Sequence, residues 1–304
     1  MCDMGLGIGD TVVQDPTTKT KMFFKGQSIL AASLKKLGSL GLAKAEKVLL
    51  TGVATGGAMV YIHADAIHAA VKAIAPNLKV FKALPVDGFH PKLRQTINCT
   101  MPVMRAACNG SFTNGSIVDS WYTAALRSIV DMSKASAALS PSCKANKSPD
   151  DQFLCLYANE TLPYIQTPIF AVQQLVSVWD AQCMYEGTVN PNILQVQCNN
   201  HHFKDQCKCV QYPDLCDPRI VAEWWAPAQQ QYLDDFTRSG AHAKPGNGGF
   251  FHQCYLGSYF PTLNPNPNPN LNPNPNPNPN PNPNPHPNPN PNPNPNPCMQ
   301  ASYP

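Results

Sequence analysis

The chain has 304 residues, with 22 Lys and Arg against 19 Asp and Glu, for a formal net charge of +3. Charged residues make up only 13% of the total and no Lys/Arg run interleaves with aromatics, so a nucleic-acid partner is not expected. No stretch approaches the roughly 20 apolar residues that a membrane span needs. No span is therefore expected either.

Residues 1–20, rich in Gly, Asp and Thr, read as loop. From residue 26 to 37, Ile29, Leu30, Leu34 and Leu37 trace one face of a short helix, which Gly38 and Gly41 end. Residues 47–51 carry the apolar run Val48-Leu49-Leu50, suited to a buried parallel strand. A tight turn over residues 52–57 leads into a long helical pattern from 58 to about 75, and residues 79–84 give a second strand. This strand-turn-helix-strand order is the sign of an open α/β sheet.

Residues 96–148 are polar and weakly periodic, and are expected to form loops and short helices above the sheet. Residues 167–175 give another buried strand. Residues 183–216 are dense in cysteine and poor in periodicity, which suggests a stapled loop region. A helix is expected over residues 220–236, interrupted or restarted at Pro227. The sequence therefore divides into a domain of residues 1–262 and a low-complexity tail of residues 263–304. From 263 to 297 the tail is Asn-Pro alternation, broken at Leu271 and His286. It lacks the donors for regular structure and is expected to be extended and disordered, reaching on the order of 100 Å if fully stretched.

The twelve cysteines concentrate between Cys99 and Cys254, with Cys2 and Cys298 near the termini. Asn-X-Ser/Thr sequons start at Asn98, Asn109, Asn114, Asn146 and Asn159, the Asn146 sequon weakened by the proline that follows it. Together they favour an oxidising, secretory history. The residues after Met1 show no positive n-region and no apolar h-region of a signal peptide, so either the protein is cytosolic with most thiols reduced or, the favoured expectation, the natural start lies upstream. Cys143 and Cys155 flank a polar loop and are a candidate bridge, although spacing alone does not fix connectivity. Cys198, His201, His202, Cys207, Cys209 and Cys216 offer zinc ligands, but in no common paired spacing. Disulfides or idle thiols are the favoured reading there, and no metal or cofactor is expected.

The most informative segment is Val48-Leu49-Leu50-Thr51-Gly52-Val53-Ala54-Thr55-Gly56-Gly57. It has the layout of a nucleophile elbow, in which a Gly-X-Ser-X-Gly turn between strand and helix holds a strained, exposed serine. Gly52, Gly56 and Gly57 keep the glycine spacing. The serine position is Ala54, which has no oxygen to attack an ester.

These residues resemble the pectin acetylesterase and Notum family of carboxylesterases. Phe24-Lys25-Gly26-Gln27 is similar to the family's Phe-Arg-Gly-Gln segment, and residues 50–57 match its Gly-Cys-Ser-Ala-Gly-Gly elbow in frame. Tyr61-Ile62-His63-Ala64-Asp65 continues in step with the helix after it, and Cys2-Asp3 through Gly9-Asp10 resembles the stretch just upstream. Residues 162–170 are close to the strand leading to the catalytic acid. Trp179-Asp180-Ala181-Gln182 then places Asp180 on the acid position. Around Phe250-Phe251-His252-Gln253-Cys254, alignment on Cys254 puts Gly257 on the histidine position and Ser258 on that of the following cysteine.

The resemblance implies an α/β-hydrolase-like, mostly parallel sheet with helices on both faces, incomplete relative to the family. It also implies removal of O-acetyl or O-acyl esters by a Ser-His-Asp triad, acetylated pectin or another O-acylated substrate as partner, and a secreted or cell-wall location. The family's upstream Gly-Gly-Gly-Trp-Cys oxyanion loop and its part beyond the histidine have no counterpart here. An edge that the intact sheet covers is therefore expected to be exposed. By the same resemblance only Asp180 of the triad remains, with the N–H of Thr55 as one oxyanion donor. Hydrolysis is expected to be lost or impaired.

Thr55 as substitute nucleophile and His252 as substitute base are weaker readings than structural roles. His63 and His68 read as ordinary packing or surface residues. An alternative in another class is a secreted glycan-binding or wall-associated protein that reuses the old groove. In that reading Trp121, Trp179, Trp224 and Trp225 are stacking candidates, each of which also reads as core.

Overall fold

The computed structural model describes residues 6–15, 17–92, 94, 121–175, 226–240, 243–252 and 300–303. The segment read as loop at the start holds an antiparallel hairpin, β1 Thr11–Gln14 and β2 Lys21–Phe24, with Val12 opposite Phe23. Its turn is built by Asp15, whose carboxylate accepts the amides of Thr17 (2.8 Å) and Thr18 (2.6 Å). Two four-residue strands are too short to show an alternation above the polar background.

Helix α1, Gly26–Ser39, follows. Gln27 anchors its start: its backbone N–H donates to Gly9 (3.1 Å) and its side-chain amide to the Ile8 carbonyl (2.5 Å). Of the apolar face read from the sequence, Leu30 and Leu34 pack toward Ile67, Val71 and Phe81, whereas Ile29 and Leu37 face solvent.

The apolar run becomes β3, Lys47–Val53; the turn leads into α2, Thr55–Ile74; and β4, Val80–Val86, returns parallel to β3 with Thr51 opposite Leu84. Where loops and short helices were expected, residues 121–133 form the 13-residue helix α3, Trp121–Ser133, with Leu126 and Val130 buried. That is a correction. Polar neighbours masked the i, i+4 pair Leu126/Val130, which is what the helix buries.

Two single turns follow, α4 Pro141–Lys144 and α5 Ala158–Thr161. The Cys143–Cys155 bridge is present, with Cα atoms 6.0 Å apart and both residues buried. Strand β5, Phe170–Gln174, lies within the stretch read as a strand. The later helix is α6, Ala226–Arg238, in which Pro227 sits in the first turn, where its missing N–H costs no bond. The part of the predicted helix before Ala226 is outside the described residues.

Strand β6, Gly248–His252, completes a parallel set in the order β3-β4-β5-β6. β7, Gln300–Tyr303, adds antiparallel to β6 at the far edge. The Asn-Pro repeat before β7 lies outside the described residues, as does the cysteine-dense stretch 183–216.

The core is built around α2. Its Val60, Tyr61 and Ala64 meet Ala171 and Phe251 of the sheet and Tyr232 and Phe236 of α6. Phe89 sits edge-on to Tyr61, Tyr232 and Phe236, with ring centroids 5.8–6.1 Å away. On its far side α2 packs Ile62 against Leu126, Leu139, Phe153 and Leu156, the layer that the disulfide staples. Asp65 ties this helix to the segment leading into β5, accepting the N–H groups of Gln166 and Thr167 and the Thr167 hydroxyl (2.7 Å).

Candidate active site

Parallel strands put all their carboxyl ends at one edge of a sheet, which is where such folds assemble chemistry. Here β3 ends at Val53, opposite Val86 of β4; Val86 is opposite Val172 of β5; and Gln174 is opposite His252 of β6. The turn after β3 therefore shares an edge with the ends of β5 and β6.

Ala54 stands at the apex of that turn. Its backbone has φ 52° and ψ −116°, a region that costs a residue with a Cβ about 1–3 kcal/mol. The strain is held from both sides. The Ala54 N–H donates to the Val86 carbonyl (2.9 Å), and its own carbonyl accepts the N–H of Ala58 (2.9 Å) as α2 begins.

Glycine is required at some of these positions and not at others. A Cβ on Gly52 would collide with the carbonyl of Gly56, and one on Gly57 would lie 2.5 Å from the Val86 oxygen. A Cβ on Gly88 would run into the Gly57 backbone, while Gly56 has open space where its Cβ would be. Close approach of β3, α2 and the end of β4 thus depends on Gly52, Gly57 and Gly88. The sequence reading grouped Gly56 with them on spacing alone, and the geometry separates it.

Thr55 is the first residue of α2. Its N–H is among the opening donors of a helix, which have no acceptor one turn back, and the helix dipole adds a positive potential there. The same turn that aims Ala54 outward places the Thr55 side chain one residue further round, in the helix.

The other sites named from the sequence fall as follows. Asp180, shortly after β5, and Gly257, shortly after β6, are outside the described residues. So are Trp179, Trp224, Trp225 and the Cys/His cluster from Cys198 to Cys216. Among the described residues no group of His, Cys, Asp or Glu is arranged to hold a metal ion.

His252 is the last residue of β6, three strand intervals from β3, or about 14 Å at the usual strand spacing. A strand residue at that remove does not reach the elbow as a base. Its Nδ1 is buried without a hydrogen-bond partner, and its ring lies 6.0 Å from that of Phe250.

His63 and His68 are both packing residues. His63 is buried and bonds the Leu6 carbonyl through Nε2 (3.1 Å); burial holds its pKa below the ordinary histidine value, partly offset by that bond. His68 stacks on Phe81 with ring centroids 4.5 Å apart, and its Nδ1 meets the Thr167 hydroxyl at 3.3 Å.

One residue at this edge escaped the sequence reading. Asp87 follows β4 with φ 48°; its N–H donates to Val172 and its carboxylate accepts the N–H of Gln174, both at 2.8 Å. It fixes the end of β5 to the end of β4 beside the elbow. The available signal was Asp-Gly after a strand, a pair that favours positive φ and turns.

A groove of about 740 Å³ opens between α1 and α2, lined by Leu30, Leu34, Ile67, Ala70, Ile74 and Leu139 among others. Its lining on α2 starts at His63, about 13 Å along the helix from Ala54. It is not the elbow's own cleft.

The pectinacetylesterase family model matches residues 1–255 of the chain. Pectin acetylesterase 4 of Arabidopsis thaliana is 27% identical over 170 residues, covering 54% of this chain and 34% of the relative. Pectin acetylesterase 7 of the same plant is 23% identical over 258 residues, covering 84% and 54% respectively. The chain thus spans about a third to a half of the curated relatives it matches. A solved chain of the Drosophila Wnt deacylase Notum aligns with 66% of this chain and 55% of its own length, at 18% identity and a TM-score of 0.45. With a family match over most of its length, the chain belongs to the pectinacetylesterase family.

Proposed function

We propose that this chain is a pectinacetylesterase homologue that keeps the scaffold of a carboxylic-ester hydrolase and has lost the hydrolysis. The observation that carries the reading is the backbone of Ala54. Its strained dihedrals, held by Val86 and Ala58, are those that aim a nucleophile outward, and the side chain aimed there is a methyl group.

Hydrolysis of an ester by such a site needs a hydroxyl to attack, an imidazole to carry its proton, a carboxylate to orient the imidazole, and N–H donors for the oxyanion. By the sequence resemblance Asp180 takes the carboxylate position and Gly257, just beyond the matched residues 1–255, the imidazole position. Thr55 would supply one oxyanion N–H. In triad enzymes the loss of the serine or the histidine alone removes about as much rate as the loss of all three, roughly 10⁶-fold. Asp180 and one donor do not restore it. The ancestral substrate class on this reading is acetylated pectin or another O-acylated molecule, as the relatives' names suggest.

A secreted or cell-wall location fits the Cys143–Cys155 bridge, since structural disulfides persist in oxidising compartments. The sequons add less than their number suggests. Asn146 is exposed but its sequon is followed by Pro149, and the Asn159 amide is engaged by the Lys92 N–H and by Glu160. No helix among the described residues is long and apolar enough to cross a membrane.

The test is release of acetate from an aryl acetate and from acetylated pectin by the purified chain. Turnover equal to buffer is expected, both for the chain and for Ala54→Ser. Turnover above buffer that Asp180→Ala abolishes would overturn the reading.

A further inference from the structure

β6 and β7 are separated in sequence by the Asn-Pro repeat, yet they pair residue by residue. Gly249 is opposite Tyr303, Phe250 opposite Ser302, Phe251 opposite Ala301 and His252 opposite Gln300. Two contacts show which way the backbone of β6 faces. The Gly248 N–H donates to the Ile169 carbonyl (3.0 Å), and the His252 carbonyl accepts from the Leu175 N–H (2.9 Å). Both bonds lie on the β5 side, and backbone groups alternate along a strand. The even-numbered residues of β6 therefore address β5, and Gly249 and Phe251 address β7.

It follows that Phe250 with Ser302 and His252 with Gln300 are non-hydrogen-bonded pairs. In such pairs the Cα atoms stand about 4.5 Å apart and the side chains meet on one face of the sheet. Phe251 fills the core beside Phe236, so the even-numbered side chains stand on the opposite face. The next pair of this kind joins position 254 to position 298, and the sequence has cysteine at both. Cysteine occupies only 12 of 304 positions, and neither of these two belongs to the Cys143–Cys155 bridge. A spacing of about 4.5 Å falls within the roughly 4.4–6.8 Å between the Cα atoms of a disulfide.

We propose that the pairing of β6 and β7 continues for two more residues and that Cys254 and Cys298, just outside the described residues, form a disulfide across it. The two thiols give up two protons and two electrons. The acceptor is a small-molecule or protein disulfide, itself reduced to two thiols. The bond serves the strand that it borders. β7 has four residues, and bringing it to β6 closes a loop containing the whole Asn-Pro repeat, which costs chain entropy. Few ladder bonds offset that cost, and a covalent link removes it. The bridge is thus the clasp of a redox-sensitive strap. Oxidised, it holds β7 on the sheet; reduced, it lets β7 leave the β6 edge.

Peptide mapping of the full chain, equilibrated in reduced and oxidised glutathione and alkylated without further reductant, tests the bond. A peptide pair joining Cys254 to Cys298 is expected. Hydrogen exchange tests what the bond does. In Cys298→Ser the amides of Gly249 and Phe251, which address β7, should exchange faster by on the order of tenfold or more, as loss of a loop-closing crosslink implies. Amides of β4 should keep their rates. The mapping needs no variant, so it decides the matter where Cys298→Ser does not fold. Cys254 joined to any other cysteine would overturn the proposal. So would free thiols at both positions while Cys143–Cys155 is closed, or unchanged exchange at Gly249 and Phe251 in folded Cys298→Ser.

Discussion

Gly52 and Gly56 stand against each other at the elbow, with no room for a Cβ on Gly52 beside the Gly56 carbonyl, while Gly56 itself has open space on its Cβ side. Two glycines of one motif therefore carry different constraints. Gly52→Ala is expected to destabilise the fold by about 1–3 kcal/mol, the range for a forced backbone shift in a packed region. Gly56→Ala, in the first turn of α2 and without a clash, should be neutral or stabilising by up to about 1 kcal/mol. Urea denaturation of the two variants separates them.

Ala54 supplies the complementary case. Its φ of 52° is unfavourable for a residue with a Cβ and free for glycine. Ala54→Gly should raise stability by about 1 kcal/mol, less the entropy that glycine adds to the unfolded chain. Ala54→Ser should leave the melting temperature within about a degree, because the hydroxyl points outward. A strong loss on Ala54→Gly would mean that the apex is not strained.

The layer beyond α2 depends on the Cys143–Cys155 bridge, which closes a loop of 12 residues. Replacing both cysteines with alanine, or reducing the bridge, should cost about 2–3 kcal/mol by the chain-entropy estimate. The loss should appear first as faster exchange of amides around Phe153 and Leu156, which pack on the bridge.

The pH dependence of stability should report His63. Its folded pKa lies below the unfolded value because burial disfavours the imidazolium. Below the unfolded pKa, near 6.5, the unfolded chain binds a proton that the folded chain resists. Stability contributed by neutral His63 is therefore complete above that value and declines as the pH falls below it. Denaturation midpoints between pH 8 and pH 5 should fall with acidity, and His63→Gln should flatten that part of the slope.

Much of the scaffold could be read from the chain because apolar runs and glycine spacing announce it. Val48-Leu49-Leu50 before Gly52 predicted β3 and its turn, but not its burial, since Leu49 is 59% exposed; the ends of β4 and β5 fell within a few residues. What escaped had weaker local signals. The hairpin of β1 and β2 exposes the pair Val12 and Phe23, so its pattern shows no buried face. Helix α3 was hidden by the polar, cysteine-bearing stretch before it. The apolar stripe of α1 was half right, because nothing in its sequence says which aliphatics meet α2.

At the site, spacing located the apex but not which glycines the contacts require. Asp87 and Gly88, which brace the elbow from β4, are remote from it in sequence. Their part is visible only when two parallel strands stand side by side. Asp180 and Gly257 were named from the motif resemblance alone, and both lie outside the described residues.

With Ala54 at its apex the elbow carries no nucleophile. The most direct measurement is the intact mass of the purified chain after treatment with a fluorophosphonate that phosphonylates activated hydroxyls in esterase sites. An unchanged mass is expected, for the chain and for Ala54→Ser alike, since on the proposed reading neither has an imidazole to activate a hydroxyl at the apex. A stoichiometric adduct on the unaltered chain, mapped by peptide sequencing to Thr55 or any other hydroxyl at the sheet edge, would contradict it.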